Sequence, residues 1–567
     1  MRALDAAGAE SPRFRRALLA LALAVAALFL LATQHYWVPA DPNADENAYL
    51  VSGKLLARTG SPGFAPPDPY SFVGMMWIST PEGRFYPKYP LGQTLLVAAA
   101  VGLAGPRAAF LINPLLMTLG LCGVFLLIRD AAGSLAGLLG MLAMAASPVL
   151  LAETNDPDSH AGSVCFTAWG MFLLFRWWRD GQHRHAALAG LLLGLAAITR
   201  YTDGLFLLPM GLVALFRLGR RWDRRRLAGA ALLAAGWLLP VAGQLAFNLR
   251  VLHRFTGYGA THESTAFSLD ALARHGLEAL RQLSALGLPL LFPLGVVGLL
   301  LLTLRDRRLG LVLWAWTLPN LLLYMSYYWA PDDLTYTRFF LSIFPPLALA
   351  AAWLLTRPLP GPSRLRRLQP AVAIVLVLAC GAFGVREILP MLTSIHQEQE
   401  QAWRAGVATL AAAPPGSAVF GPQQALSYLQ YAGDGYRLYS RLLFVPRTIA
   451  RMGRVDPRQP SSLQPERARA LYKLLKGRKS IGLLKLQREL AASSLGQGLR
   501  VFLIVPAGDP EWLRFADPQL TRVDDRAFVL RPVAHWSGWG LPVNERGDRK
   551  PMAWELLEAT SGPAAGS

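Results

Sequence analysis

Residues 185–218 read HAALAGLLLGLAAITRYTDGLFLLPMGLVALFRL, two apolar runs separated by Thr199-Arg200-Tyr201-Thr202-Asp203. As a single helix, this stretch would carry the arginine cluster of 217–226 to the far side of a membrane from the other basic segments. As two helices, 185–199 and 204–218, it returns that cluster to the side of 1–16 and 176–187, as the positive-inside rule requires. Helices of about 15 residues are short for a hydrocarbon core of ~30 Å. Their junction is therefore expected below the outer surface, facing a polar cavity rather than lipid.

The same test extends outward along the chain. Apolar segments at 17–38, 106–128, 132–152, 161–178, 185–199, 204–218, 227–247, 285–304, 309–328, 337–356 and 369–391 read as eleven spans. With the N-terminus inside, the cytoplasmic segments 1–16, 129–131, 176–187, 217–226, 305–308 and 357–367 hold 21 basic and 6 acidic residues. The short external loops 153–160, 200–203 and 329–336 hold one base, Arg200. The first segment has no small-residue cleavage site, and Tyr36-Trp37 reads as an interfacial anchor, so it is a span and not a signal peptide. The apolar stretch 91–105 would flip every later basic loop if it crossed, and reads as an interfacial or re-entrant segment.

Composition agrees. The 567 residues are 53% hydrophobic and only 16% charged, where soluble domains carry about 25%. This excludes a large soluble enzyme and a disordered chain, and the number of apolar blocks excludes a singly anchored protein. The net charge of +20 would point to nucleic acid in a soluble protein. Here the cytoplasmic segments hold +15 of it, so it sets topology, and no nucleic-acid partner is expected. Cys122, Cys165 and Cys380 all lie in apolar blocks, which offers neither a disulfide framework nor a zinc site. Beyond Leu392 the chain is polar enough to be soluble. Helical patterns at 397–413, 465–476 and 481–491 mix with short strands at Ala418–Phe420, Val501–Val505 and Ala527–Leu530. The expected organisation is a mainly α, polytopic membrane domain, 1–392, with a long external loop at 39–105, and an external α/β domain, 393–567.

Candidate chemistry lies on the external side. The first loop opens with Asp45-Glu46-Asn47-Ala48-Tyr49. Segment 46–58 suits an amphipathic helix on the bilayer, with Tyr49, Leu50, Leu55 and Leu56 as apolar contacts. Asp45 reads either as an N-cap with Glu46 as a first-turn charge, or as a used acid at the membrane surface. Tyr86-Pro87-Lys88-Tyr89-Pro90-Leu91-Gly92 holds Lys88 on a rigid turn. Its ammonium suits a lipid phosphate or simple snorkelling. Glu153-Thr154-Asn155-Asp156-Pro157-Asp158-Ser159-His160 gathers three acids and no base. It reads as a turn, or as an incomplete shell of hard oxygens for a divalent cation. Arg200 and Tyr201 lie in the hinge already quoted. Tyr336 and Arg338 lie at the outer end of the tenth span, where Arg338 reads as a ligand residue or as the partner of Asp332 or Asp333.

Taken together, this order of motifs resembles the GT-C glycosyltransferases, multi-span enzymes that use polyprenyl-phosphate sugars. It looks closest to the branch of the protein mannosyltransferases and the lipid A aminoarabinose transferases. Asp45-Glu46-Asn47-Ala48-Tyr49 is similar to that branch's Asp-Glu motif after the first helix, and Tyr86-Pro87-Lys88-Tyr89-Pro90-Leu91 looks like its Lys-Pro-Pro motif. Asp156-Pro157-Asp158 falls where the family carries a second acid. Thr199–Gly204 resembles its basic hinge, and Arg338-Phe339-Phe340 with Pro345-Pro346 resembles its Arg-Tyr-x-Leu-Pro segment. The resemblance covers about 1–356. Ala48 departs from it where several relatives carry a base, so one phosphate contact is either missing or supplied by Lys54 or Arg58, and Tyr89 stands where some have a second proline.

The resemblance implies transfer of a sugar from a polyprenyl-phosphate donor to a lipid, glycan or protein acceptor. The implied location is the periplasmic face of a bacterial inner membrane. Asp45 would be the base with Glu46 in support, Asp158 or Asp156 would orient acceptor or sugar, and Lys88, Arg200 and Arg338 would hold the phosphate. Tyr49, Tyr86, Tyr89, His160, Tyr201 and Tyr336 would line the site. No cofactor or metal is needed, since lysine and arginine do the neutralising. The alternatives are a metal-dependent GT-C ligase moving a larger glycan, with Asp156-Pro157-Asp158 as its acidic pair, and a transporter or flippase of lipid-linked saccharides. The flippase reading lacks the internal repeat common to transporters. A third reading is an assembly protein binding partners through Tyr428–Tyr439 and the late tryptophans.

Overall fold

The computed structural model describes residues 10–561 except 69, 75, 81, 220–222, 261–266, 329, 331–333, 359–362, 441–489, 508–527 and 543–548. The helical patterns at 465–476 and 481–491 and the pairing of Arg338 with Asp332 or Asp333 lie largely or wholly outside the described residues. The chain forms two compact units. The first holds Met1–Trp37, Pro90–Gln93 and Leu111–Leu389, and the second holds Val38–Tyr89, Thr94–Phe110 and Pro390–Ser567. The long first loop thus belongs almost entirely to the same unit as the C-terminal residues.

In chain order α1 (Pro12–Gln34) is followed by α2 (Ala44–Thr59), α3 (Leu91–Ala104), α4 (Ile112–Ala132), α5 (Ser134–Ala145), α6 (Pro148–Ala152), α7 (His160–Asp180) and α8 (His183–Thr199). Next come α9 (Leu207–Leu218), α10 (Arg224–Phe247), α11 (Leu269–Gln282), α12 (Leu291–Arg305) and α13 (Arg307–Met325). Then follow α14 (Leu334–Thr337), α15 (Phe344–Thr356), α16 (Ser363–Ala412) and α17 (Gln423–Ala432).

The first unit is a helical bundle. Exposed Leu31, Leu239, Leu304 and Val375 are each at least 66% accessible, which water would not tolerate over so many positions and lipid does. Helix lies in every one of the eleven expected segments. Among the described residues, six helices suffice by length and apolar composition to cross a membrane, or up to seven if a bent pair counts as one span. Of the others, α5 (12 residues), α8 (17) and α12 (15) fall short in length, and a helix sheltered by neighbours need not be apolar all round. In α7, for example, His160, Ser163 and Thr167 are all buried. The expected span 285–304 begins later, at Leu291, because the chain bends by 109° between Gly287 and Leu291. Pro289 and the left-handed Leu290 (φ 57°) make that corner.

Small residues let the helices approach closely. A Cβ on Gly190 of α8 would lie 2.0 Å from the Leu233 carbonyl of α10, and one on Gly298 of α12 would lie 2.3 Å from the Ala350 carbonyl of α15. Near the arginine-rich ends, Asp130 of α4 accepts from Arg176 and Arg179 of α7, both at 2.6 Å. Part of the charge in the basic segments therefore ties helices together.

The second unit is α/β. β1 (Trp77–Ser79) and β2 (Phe85–Pro87) form an antiparallel hairpin. β3 (Ala418–Gly421), β4 (Arg437–Ser440), β5 (Val501–Pro506), β6 (Phe528–Pro542) and β7 (Arg549–Ser561) form one sheet in the order β4-β3-β5-β7-β6. β3 pairs parallel with β4 and β5, while β7 is antiparallel to β5 and β6. The parallel β3–β4 pair requires a crossover, and α17 supplies it. Val419, Leu426, Leu429, Phe502 and Leu556 form the core beneath the sheet. Tyr428, Tyr431 and Tyr439 are buried in this unit, so the tyrosine-rich stretch is packing and not the exposed partner surface expected of it.

Candidate functional site

Each unit holds its own group of candidate residues. In the second unit the group is built on α2 and the β1–β2 hairpin. α2 starts after Asn43, its N-cap, with Asp45 and Glu46 in the first turn. Asp45 is thus not the cap. Both acids sit where the helix dipole favours negative charge. Asp41 braces the entry, its Oδ1 accepting from the Asn43 N–H (2.8 Å) and its Oδ2 from Gln399 Nε2 (3.1 Å).

Asp45 and Tyr49 share a helix face at i, i+4, and Tyr89 reaches both. Its hydroxyl donates to Asp45 Oδ1 (2.7 Å), and its ring stacks on Tyr49 at 4.8 Å. Lys88 Nζ lies 5.0 Å from the Tyr89 ring centroid, a cation–π distance. The Lys88 N–H is fixed to the Met76 carbonyl (3.1 Å). Tyr86, on β2 opposite Ile78, packs over Gly63.

α2 does not lie on the bilayer. Its residues Glu46 to Lys54 are buried in protein. Neither is Lys54 or Arg58 a substitute phosphate ligand. Lys54 Nζ donates to the carbonyls of Gln430 (3.2 Å) and Gly433 (2.8 Å) and to Asp434 Oδ1 (3.1 Å), and Arg58 pairs with Asp434. Burial lowers the Lys54 ammonium from its usual range, against the attraction of Asp434.

In the first unit the group gathers around the loop before α7. Asn113 of α4 donates to the backbone carbonyls of Asp156 and Asp158, the latter at 2.9 Å, and accepts from Gln93 Nε2 (2.9 Å). So held, the loop turns Asp158 inward, where its Oδ1 accepts from the His160 N–H (2.8 Å) at the start of α7. The His160 imidazole sits between Asp158 Oδ2 (3.2 Å) and Arg200 Nη1 (2.9 Å). Arg200 ends α8 in extended backbone before a 3-10 turn over Tyr201–Phe206, the break expected between the two short helices. Its Nη2 donates to the Tyr324 hydroxyl (3.0 Å). Arg200 and Arg338 both lie against the Phe339 ring, at 5.8 and 5.7 Å.

Glu153 and Asp158 are both buried in this loop. Burial, and then the Asp158 charge, push the Glu153 carboxyl well above the usual carboxylate range, against the pull of Arg338 and Arg200. Burial raises Asp158 as well, opposed first by Arg338.

The two groups differ from expectation in membership. Asp45, Tyr49, Lys88 and Tyr89 come together in one unit, and Asp158, His160, Arg200 and Arg338 in the other. Asp156 is half-buried, with its backbone carbonyl held by Asn113. Tyr201 accepts from Asn248 Nδ2 (3.0 Å) beneath the hinge. Tyr336 is a packing residue, fully buried with its hydroxyl on the Tyr324 carbonyl (2.8 Å). Asn113 and Tyr324 were not singled out from sequence, and Glu153 was counted among the acids of its loop without a role of its own. Asn113, a polar side chain inside an apolar run, is the one that carried a signal. Gly92 of the Tyr-Pro-Lys-Tyr-Pro-Leu-Gly motif is explained by close approach, since a Cβ there would lie 2.4 Å from Thr199 Oγ1.

Glu153, Asp158 and His160 offer ligand atoms within 4.8 Å of one another. The charges of Arg200 and Arg338 act on the same two acids, leaving little net negative charge for a hard dication.

The fold is that seen in GT-C glycosyltransferases of known structure, and the chain carries several helices long and apolar enough to cross a membrane. ArnT from Cupriavidus metallidurans bound to undecaprenyl phosphate is similar at a TM-score of 0.55 and 14% identity, covering 95% of this chain and 97% of that one. Its apo state is similar at 0.50 and 13%, with the same coverage. The mycobacterial arabinofuranosyltransferase AftD is similar at 0.49 and 17%, covering 98% of this chain and 40% of that one. Residues 93–244 match the family model PMT_2, dolichyl-phosphate-mannose-protein mannosyltransferase. No curated protein matches the chain by sequence at a significant level.

Proposed function

We propose that this protein transfers a sugar from a polyprenyl-phosphate donor to an acceptor hydroxyl or amine on the periplasmic face of a bacterial inner membrane. The reaction inverts the anomeric centre and needs no metal. The observation that carries this reading is Asp45, bonded to the Tyr89 hydroxyl (2.7 Å), with the Lys88 ammonium 5.0 Å from the centroid of the same ring. A base and a phosphate-binding cation are thus fixed by one tyrosine. ArnT, which shares the fold, has been solved with undecaprenyl phosphate bound.

In the proposed reaction the acceptor heteroatom attacks the anomeric carbon, and its proton passes to Asp45. The carbon–oxygen bond to the phosphate breaks, and its electron pair leaves with the phosphate. That phosphate is already a good leaving group, so the protein's task is to neutralise charge. Lys88, Arg200 and Arg338 do this. Asp158, held by His160 and the loop backbone, orients acceptor or sugar, and Glu46 supports Asp45. With arginine and lysine in this role a divalent cation has no step to perform.

The test is Asp45→Asn. Transfer of labelled sugar from a polyprenyl-phosphate donor is expected to fall by about 10³-fold, within the range for loss of a general base, while donor binding by the purified protein stays within two-fold. Full transfer by this variant would remove Asp45 from the role.

A further inference from the structure

Lys54 and Asn47 lie on the helix that carries the proposed base, yet both turn toward α17 of the α/β unit. Lys54 is 4% exposed, and its ammonium meets the Gln430 and Gly433 carbonyls and Asp434 at the C-terminal end of α17. Those carbonyls have no partner within their own helix, and a cation there is favoured by the helix dipole. Asn47, 1% exposed, donates to Gln430 Oε1 (3.0 Å) and the Ser427 carbonyl (3.4 Å), and accepts from Trp77 Nε1 (3.2 Å) of the β1–β2 hairpin. Asn47 therefore joins three elements: the helix bearing Asp45, the hairpin leading to Lys88 and Tyr89, and α17. Arg58 meets Asp434 from outside, with its side chain 43% exposed.

We propose that Lys54 and Asn47 are positioning residues, through which the C-terminal α/β domain sets the orientation of α2 and hence of Asp45. This rests on the reading of Asp45 as the base. The α/β domain is then part of the catalytic framework, and its hold on α2 is exerted through buried polar contacts and not through substrate.

The test uses the full-length protein in detergent. Lys54→Met keeps the length and removes the ammonium. Amide hydrogen exchange across 44–59 is expected to rise at least ten-fold, and kcat to fall about ten-fold with the donor KM unchanged. Lys54→Arg should restore most of both, and Arg58→Ala should change neither. Unchanged exchange in Lys54→Met overturns the proposal, as does a raised donor KM at unchanged kcat, which would make Lys54 a phosphate contact. If Lys54→Met cannot be purified, Gln430→Ala, which removes one partner of Asn47, should raise the same exchange at least three-fold, and no rise overturns the proposal. Exchange is read without any reaction. Faster exchange in a protein whose wild type transfers no sugar therefore defeats the proposed function and leaves the clamp standing.

Discussion

The acids of the two groups are managed in opposite ways. Asp45 is half-buried, sits in the first turn of a helix and accepts from the neutral Tyr89 hydroxyl. Glu153 and Asp158 are almost fully buried, and two guanidiniums act on both. A carboxylate meant to take a proton must be accessible, and the first arrangement leaves Asp45 half-accessible. A buried pair set against arginines is a fixed, charge-balanced wall. The contrast fits the proposed division, with Asp45 as the base on α2 and Asp158 as an orienting acid beside the arginines proposed to meet the phosphate.

The comparison can be broken most sharply at Asp45, where the asparagine variant should lose about 10³-fold in transfer and almost nothing in stability. The converse is expected of Arg200→Ala. It leaves Tyr324 and His160 without their guanidinium partner and the two acids with Arg338 alone, and should cost about 3–5 kcal/mol, read as a large drop in thermal stability alongside lost activity. A variant that kept its melting temperature would show that the wall does not depend on that cation. Lys88→Ala should lower donor kcat/KM by about 10²-fold, the scale for losing one cation from a charge-stabilising site, with acceptor kinetics little changed. If only the acceptor kinetics move, Lys88 belongs to the other substrate.

A smaller effect concerns Glu153. Its folded-state pKa is raised, so the folded protein retains a proton that the unfolded chain releases above about pH 4.3. The associated stability is fully present below that pH and is lost as pH rises through the folded value. Melting of the wild type should therefore weaken from pH 5 to pH 9 more steeply than that of Glu153→Gln. Parallel slopes would locate the proton elsewhere. The smallest expected effect is that of a chelator, under two-fold on transfer; abolition would favour the metal-dependent ligase.

Much of the fold was legible in the amino-acid order because lipid and charge impose one-dimensional rules. Apolar length marks helices, and basic loops choose sides. The break at Thr199–Asp203 followed from those rules and is present as a helix end and 3-10 turn. The Asp-Glu and Tyr-Pro-Lys-Tyr-Pro motifs were legible as local chemistry. The roles of Lys54, Asn47, Glu153 and Tyr324 were not, because each depends on a partner elsewhere in the chain. Lys54 meets Asp434 across 380 residues, and Arg200 meets Tyr324 across 124. A lysine near a motif looks like a phosphate ligand until the helix end it caps is known.

By itself the sequence determined a many-helix membrane domain, the acids and cations of its candidate motifs, and an α/β region at its C-terminal end. Hydropathy, charge bias and turn chemistry act over neighbouring residues and need no fold to be read. Only the tertiary structure decided which loop belongs to which unit, that α2 is buried in protein, and that its lysine is spent on α17. It also showed that Tyr336 and the tyrosines of 428–439 are core. Burial and hydrogen-bond partnership are properties of distant pairs, and they become defined only when the chain has closed on itself.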